Sequence, residues 1–351
     1  MKGFGSDNHS GVHPELLRAL INCNAEHAPS YGTDLYSEKA IQHFKKEFGV
    51  ATEVYFVFNG TAANVLALRF LMKRHESVLC STISHLNVDE CGAPEFFAGK
   101  LQALPHTFGK LTLATLQAAV IRQGDQHYSQ ARVVSLTQPT EMGTCYTIGE
   151  IKEITQWAHS QNLYVHLDGS RLANALEFLD CSFKEMTSDL GVDVVSLGGT
   201  KNGLMMGEAI VVLNSELAKG AHQQLKYIRK QSAQLPSKTR FIAAQFEAYF
   251  QNKLYLQIAH HVCRMANDLY EKLASIPGVE ITGPRESNAV FAKIPQAWIK
   301  PLREKYFFYV WDEKTFECRF MTSWDTTAAD IDGFIHQMQQ LSQRKLFFER
   351  T

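Results

Sequence analysis

The chain has no surplus of charge: 35 lysines and arginines stand against 36 acids in 351 residues. Nucleic acids and anionic membrane surfaces attract proteins through excess positive charge, so neither is expected as a partner. Long apolar runs are missing too, and no window approaches the roughly 18 apolar residues of a membrane-spanning helix. The opening Met1-Lys-Gly-Phe-Gly-Ser-Asp7 has no apolar signal segment, which predicts a cytoplasmic protein. Cysteine is present but unpatterned. Seven residues without a Cys-x-x-Cys pair argue against a disulfide framework or a structural zinc, and fit a reducing compartment. His85, Asp89 and Glu90 lie close in sequence but lack the His-Glu-x-x-His register, so no metal is expected. There is no P-loop, no dinucleotide-binding glycine fingerprint, no low-complexity tract and no internal repeat. These absences leave a globular chain, 45% hydrophobic, long enough to bury a sizeable core in two domains.

Against that background one stretch stands out, Val194-Val-Ser-Leu-Gly-Gly-Thr-Lys-Asn-Gly203. A β-branched run ends in two glycines and delivers a single lysine, Lys201, among small and turn-forming residues. Reacting groups in open α/β sheets sit at such strand ends. Upstream, Tyr164-Val-His-Leu-Asp-Gly-Ser-Arg171 reads as a second strand with a carboxylate, Asp168, at its C-terminal end. Alternation puts Tyr164, His166 and Asp168 on one face. Taken singly, Lys201 also reads as a surface lysine and Asp168 as a helix cap. Together they are the two groups that pyridoxal phosphate chemistry needs: an amine for a Schiff base and an anion for the pyridine nitrogen.

Residues 1 to 30 contain one short helix, about Pro14 to Asn22. Before it, Ser6-Asp7-Asn8-His9 fits either a solvated tail or an arm folded over a site, with Ser6 donating to a substrate carboxylate. A strand from Glu53 to Phe58 runs through Asn59-Gly60-Thr61 into a helix from Ala62 to Met72. Such a turn is an anion cradle, since free N–H groups point outward, Gly60 permits close approach and Thr61 adds a hydroxyl. His85, beyond the strand Val78 to Thr82, is either a surface histidine or a ring lying on a planar cofactor. A helix from Leu111 to Arg122 and a strand from Val133 to Leu136 flank His127, which by itself reads as an exposed loop residue. Thr147 and Glu150 form a capping box for the helix Ile148 to Ser160. This alternation predicts an α/β fold with a doubly wound, mostly parallel sheet and helices on both faces.

Arg171 has a planar fork suited to gripping a carboxylate with two hydrogen bonds. Glu208 to Leu213 is expected as an apolar antiparallel strand at the sheet rim. The basic segment Lys226 to Lys238, containing Arg229, is either a solvated helix end or a source of positive charge for a phosphate. A long helical region from Arg240 to Ala274 then bridges to a small C-terminal α+β domain. There Arg319 stands inside the apolar strand Cys318-Arg-Phe-Met321, and a charge so placed must find a partner. A substrate carboxylate and an internal acid both fit. The domains expected are an N-terminal arm and short helix over 1–30, a large domain over 31–250 and a small one over 251–351.

The segments Tyr31-Gly-Thr-Asp34, Phe58-Asn-Gly-Thr61, Ser84-His85, His166-Leu-Asp-Gly-Ser-Arg-Leu-Ala-Asn174, Ser196-Leu-Gly-Gly-Thr-Lys-Asn-Gly203 and Cys318-Arg319 resemble the low-specificity L-threonine aldolases. These belong to the aspartate aminotransferase superfamily of pyridoxal phosphate enzymes, fold type I, and the resemblance covers nearly the whole chain. It implies a seven-stranded type of sheet, with Lys201 forming the Schiff base, Asp168 pairing with the pyridinium nitrogen and His85 stacking on the ring. Gly60, Thr61 and Thr200 would hold the phosphate, with Arg229 given by a neighbouring subunit. Ser6, Arg171 and Arg319 would bind the substrate carboxylate. His127 would approach the substrate hydroxyl from the partner subunit, in a dimer or tetramer with shared sites. The family's pattern is departed from at Ser170, where alanine is common, and at Ser323, where histidine is frequent. Gln138-Pro139-Thr140 replaces Glu-Asn-Thr, which removes an asparagine expected at the cofactor ring oxygen.

The implied reaction is cleavage of the Cα–Cβ bond of L-threonine or L-allo-threonine to glycine and an aldehyde, with His85 or His127 as base. The same lysine and aspartate would also serve a β-eliminating lyase, an aminotransferase or a racemase. A non-enzymatic interaction protein on the same fold would account for the fold but not for the convergent lysine, aspartate and arginines.

Overall fold

Short β-branched and apolar runs, each closed by a turn residue, form the strands of a computed structural model that describes residues 2–348. Seven of them make the larger sheet: β1 (Glu53–Val57), β2 (Glu76–Ser81), β3 (Lys100–Leu104), β4 (Gln130–Thr137), β5 (Tyr164–Gly169), β6 (Val194–Gly198) and β7 (Glu208–Val212). Their order is β1-β7-β6-β5-β4-β2-β3. Neighbours from β3 through β6 are parallel, while β7 runs antiparallel to both β1 and β6. The expected mostly parallel α/β sheet is therefore present. One detail is corrected: β7 is antiparallel but lies inside the sheet, and β1 and β3 are the edges. Full burial of β7 is the physical reason, because a strand with both faces covered gains most in the interior. The strand β3 has no counterpart in the sequence reading, its polar Lys100 and Gln102 hiding the pattern.

Apolar side chains alternate to the two sides of the sheet. Val195, Leu197, Ala209 and Val211 face one cluster with Phe44, Phe246 and Phe250, and Val194, Ile210 and Val212 face another with Val65 and Leu68. Helices cover both faces because each carries an apolar stripe that must be buried. The helical region expected from Arg240 to Ala274 is two helices, Arg240–Phe250 and Leu254–Ala274. Between them Asn252 and Lys253 take positive φ, which interrupts the helix. The basic segment around Arg229 ends a helix from Ser215 to Gln231.

The smaller sheet has the order β10-β11-β9-β8, from β8 (Glu280–Ile281), β9 (Ala289–Lys293), β10 (Tyr309–Asp312) and β11 (Glu317–Met321). Its core takes in Phe4 from the far end of the chain, with Phe308, Phe320 and Phe334. The backbone of Phe4 also joins the rim of this sheet, donating to the Phe307 carbonyl and accepting from Met321 N–H. Ser6 and Asp7 are thus carried inward as an arm. Among the described residues no helix is long and apolar enough to cross a membrane.

Candidate functional site

The C-terminal ends of β5 and β6 lie side by side, and the turns that follow them set the two central residues. Gly198 allows this closeness, since a Cβ there would collide with the Ser170 backbone. The turn after β6 then carries Lys201. Burial lowers the pKa of its amine and Arg171 adds to this, against the pull of Asp7, Asp168 and Glu208. A less protonated amine is the better nucleophile. Asp168 is buried, and burial works to raise its pKa. Lys201, His85 and hydrogen bonds from Ser170 and Asn64 outweigh that and hold it below the ordinary range. Ser170 supplies both its N–H and its hydroxyl to Asp168 Oδ1, at 3.0 and 2.7 Å.

His85 begins the short helix after β2. Its Nδ1 lies 2.9 Å from Glu90 Oε1, and its backbone N–H donates to Glu141 Oε1 at 3.0 Å. Paired with a carboxylate, Nδ1 carries the proton and Nε2 is left to accept one. The hydrogen bond to Glu90 raises the His85 pKa, although burial opposes it. Asn64 donates from its Nδ2 to both Glu90 Oε1 and Asp168 Oδ2, at 2.9 and 2.8 Å. One amide therefore ties the acid behind the histidine to the acid at the end of β5. Sequence reading missed Asn64 and gave Glu90 no role. The available signal was a buried-type apolar helix, Ala62-Ala63-Asn64-Val65-Leu66, broken by one amide.

Asn59 caps the helix Gly60–Leu71, its side chain accepting from Ala62 N–H at 2.9 Å. Gly60, Thr61, Thr200, Lys201 and Glu208 line a cavity of about 260 Å³ at this helix end. A Cβ at Gly60 would meet nothing nearer than the Ser170 hydroxyl, 3.9 Å away, so the cradle is open. Backbone donors at an open helix N-terminus, a partly buried amine that reaches the cavity and a buried carboxylate fit the phosphate, aldehyde and pyridine nitrogen of pyridoxal phosphate.

A second cavity of about 140 Å³ shares Lys201 and His85 and is lined by Ser6, Arg171, Glu141 and Arg319. Arg319 has a buried Nε with no hydrogen-bond partner. Its guanidinium lies over the Trp311 and Tyr309 rings, 4.8 and 5.6 Å from their centroids. Burial, with Arg171 nearby, lowers its pKa to about 10. Arg171 differs: its Nε and Nη2 donate to Asp7 at 2.6 and 2.9 Å. The two-pronged grip expected of Arg171 is thus made to an internal acid, and its partner Asp7 was missed beside Ser6. Ser6 itself accepts from Asn8 N–H at 3.2 Å.

Three expected site residues line neither cavity: Asp168, buried behind Ser170 and Asn64, and His127 and Arg229, which lie away from both within one chain. His127 is exposed on the loop after the helix Leu113–Ala119. Arg229 donates to the Phe56 carbonyl at 3.1 Å and stacks over Tyr55. Among the departures, Gln138 is spent on the backbone of Tyr146 and Ser323 on Asp325. Glu141, also unforeseen, accepts from Thr137 at 2.8 Å, and burial raises its pKa to about 7.

Comparison with known proteins follows the same lines. The model of the beta-eliminating lyase family matches residues 3–297. A low specificity L-threonine aldolase of Pseudomonas aeruginosa is 42% identical over 326 residues, 92% of this chain and 93% of that protein. One from a Pseudomonas species is 41% identical over 330 residues, 93% of this chain and 94% of that protein. The solved structure of Leishmania major threonine aldolase superposes with a TM-score of 0.91 at 27% identity, covering 97% of this chain and 100% of that one.

Proposed function

From the premise that this chain belongs to the beta-eliminating lyase family, we propose that it is a pyridoxal phosphate-dependent threonine aldolase. It cleaves the Cα–Cβ bond of L-threonine and L-allo-threonine to glycine and acetaldehyde, on a fold type I scaffold. The observation that carries this reading is the convergence of Lys201, His85 and Arg319, with its unpartnered Nε, on two adjoining cavities, with Asp168 held behind the first by its lining residues Asn64 and Ser170.

When bound, pyridoxal phosphate supplies a carbonyl handle for the amino group and an electron sink for charge developing at Cα. Lys201 would anchor it, Asp168 would face the pyridine nitrogen, and His85 would lie on the ring. Gly60, Thr61 and Thr200 would hold its phosphate. Arg319 fixes the substrate carboxylate, assisted by the Ser6 hydroxyl and by the charge of Arg171. Orienting that carboxylate decides which bond to Cα is aligned for cleavage. His85 Nε2, free because Nδ1 is committed to Glu90, accepts the β-hydroxyl proton as the aldehyde departs. Lys201, its proton affinity reduced by burial, is suited to exchange with the substrate amine.

An exposed apolar groove including Leu17, Ile21, Met205 and Met206 supports assembly as a homo-oligomer. In that assembly Arg229 and His127 act at the site of a neighbouring copy. Seven free cysteines support a reducing, cytoplasmic setting.

The test is product analysis with cofactor-loaded protein and both threonine isomers. Equal amounts of glycine and acetaldehyde are expected. Cofactor binding with no aldehyde from either isomer would overturn the aldolase reading and move the function to elimination, transamination or racemisation.

A further inference from the structure

Because β7 runs against its neighbours, its first residue lies at the sheet edge where the other strands end. That residue is Glu208, opposite Val57 of β1 and Gly198 of β6. It therefore sits between the turn leading to Gly60 and the turn carrying Lys201. Its buried carboxyl accepts from Gly199 N–H at 2.7 Å and from Thr200 N–H at 3.4 Å. The same side chain lines the cavity with Gly60, Thr61, Thr200 and Lys201. Lys201 is a charged group that acts on it, and Tyr249 is a titratable neighbour on the helix Arg240–Phe250. The flanking strands present uncharged Val57 and Gly198, and the helix end opposite begins with Asn59, Gly60 and Thr61.

Resting on the pyridoxal phosphate reading above, we propose that Glu208 positions the Lys201 turn and becomes a neutral acid when the site is loaded. Seating the cofactor's phosphate thus takes up one proton at this carboxyl. An anion cradle that already contains a carboxyl cannot hold two bare anions without strong repulsion, because like charges in a poorly solvated site favour protonation of one. A protonated carboxyl avoids this. Its carbonyl oxygen continues to accept from the Gly199 N–H, and its hydroxyl becomes a donor for a phosphate oxygen. Burial already raises the Glu208 pKa to about 7, against hydrogen bonds from Thr200 and Gly199 and the charge of Lys201. The group is therefore poised to gain a proton near neutrality.

The experiment titrates full-length apoprotein, wild type and Glu208→Gln, with inorganic phosphate and with pyridoxal phosphate across neutral and alkaline pH. Relative to the variant, wild-type affinity for phosphate is expected to fall toward about tenfold per pH unit above pH 7. Ionisation of phosphate itself is common to both proteins and cancels in the ratio. Calorimetry of the wild type in two buffers of different ionisation heat counts protons whether or not the variant folds. At alkaline pH, uptake near one proton more for pyridoxal phosphate than for pyridoxal is expected. No such difference, or the same pH profile for wild type and variant, would overturn the proposal and leave the cofactor reading standing. Failure of the wild type to bind pyridoxal phosphate at all would overturn both.

Discussion

Arg171 holds Asp7 through two hydrogen bonds of 2.6 and 2.9 Å, fastening the N-terminal arm to the end of β5. Asn288 adds a third at 3.2 Å, so the arm, the large sheet and the small sheet meet at one carboxylate. Burial works to raise the Asp7 pKa, and Arg171, Lys201 and Asn288 outweigh it and keep it below the usual value. Its stabilising contribution is present above the ordinary carboxylate pKa and is lost only as pH falls through the lower folded value. Removing the buried carboxylate in Asp7→Ala leaves the partly buried Arg171 unpaired and is expected to cost about 2–4 kcal/mol, less than for a fully buried pair. Denaturant unfolding measures this. A loss under about 1 kcal/mol would mean that the pair is solvated in solution.

Lys201→Ala is expected to keep the fold and lose both turnover and borohydride-reducible cofactor attachment. Mass spectrometry after reduction reads the attachment directly, and wild-type labelling in the variant would remove Lys201 from its assigned role.

Glu90→Gln tests the support behind His85. Without the carboxylate at 2.9 Å, the histidine loses the largest influence raising its pKa. The acidic limb of the rate profile should therefore move to lower pH, and kcat should fall on the order of tenfold to a hundredfold. An unchanged pH profile would show that Glu90 is only structural.

Arg319→Leu removes the cation whose Nε lacks an internal partner. A charge-assisted hydrogen bond contributes about 1.5–3 kcal/mol, so kcat/KM for threonine should fall at least about tenfold. Similar losses for amino acids and for their decarboxylated amines would count against a carboxylate-binding role.

His166 gives a stability prediction. It is buried between the Ser135 and Ser196 hydroxyls, each 2.9 Å from a ring nitrogen, and burial lowers its pKa from 6.5 to about 4. The unfolded chain binds the proton more readily, so stability is lost as pH falls from 6.5 toward 4, by about 3 kcal/mol in total. Unfolding of His166→Gln over that range should show a shallower dependence.

The central pair was legible because local pattern controls it. A β-branched strand ending in two glycines before Lys201, and a strand with Asp168 near its end, place those groups at the C-terminal ends of strands. Gly60 and Thr61 were legible for the same reason, since a helix N-terminus is a local feature. The partners of Arg171 and Arg319 were not. One is met by an acid 164 residues away, and the other by two aromatic rings and a cavity, and no periodicity encodes contacts so distant. Glu208 read as the start of an apolar strand. Its significance depends on β7 being inserted antiparallel between β1 and β6, which turns its N-terminal end toward the site. By itself the sequence determined which residues end strands and begin helices, because those choices rest on backbone and side-chain preferences a few residues long. Only the tertiary structure decided which charges meet, because strand order and the returning N-terminal arm bring together groups that the chain keeps far apart.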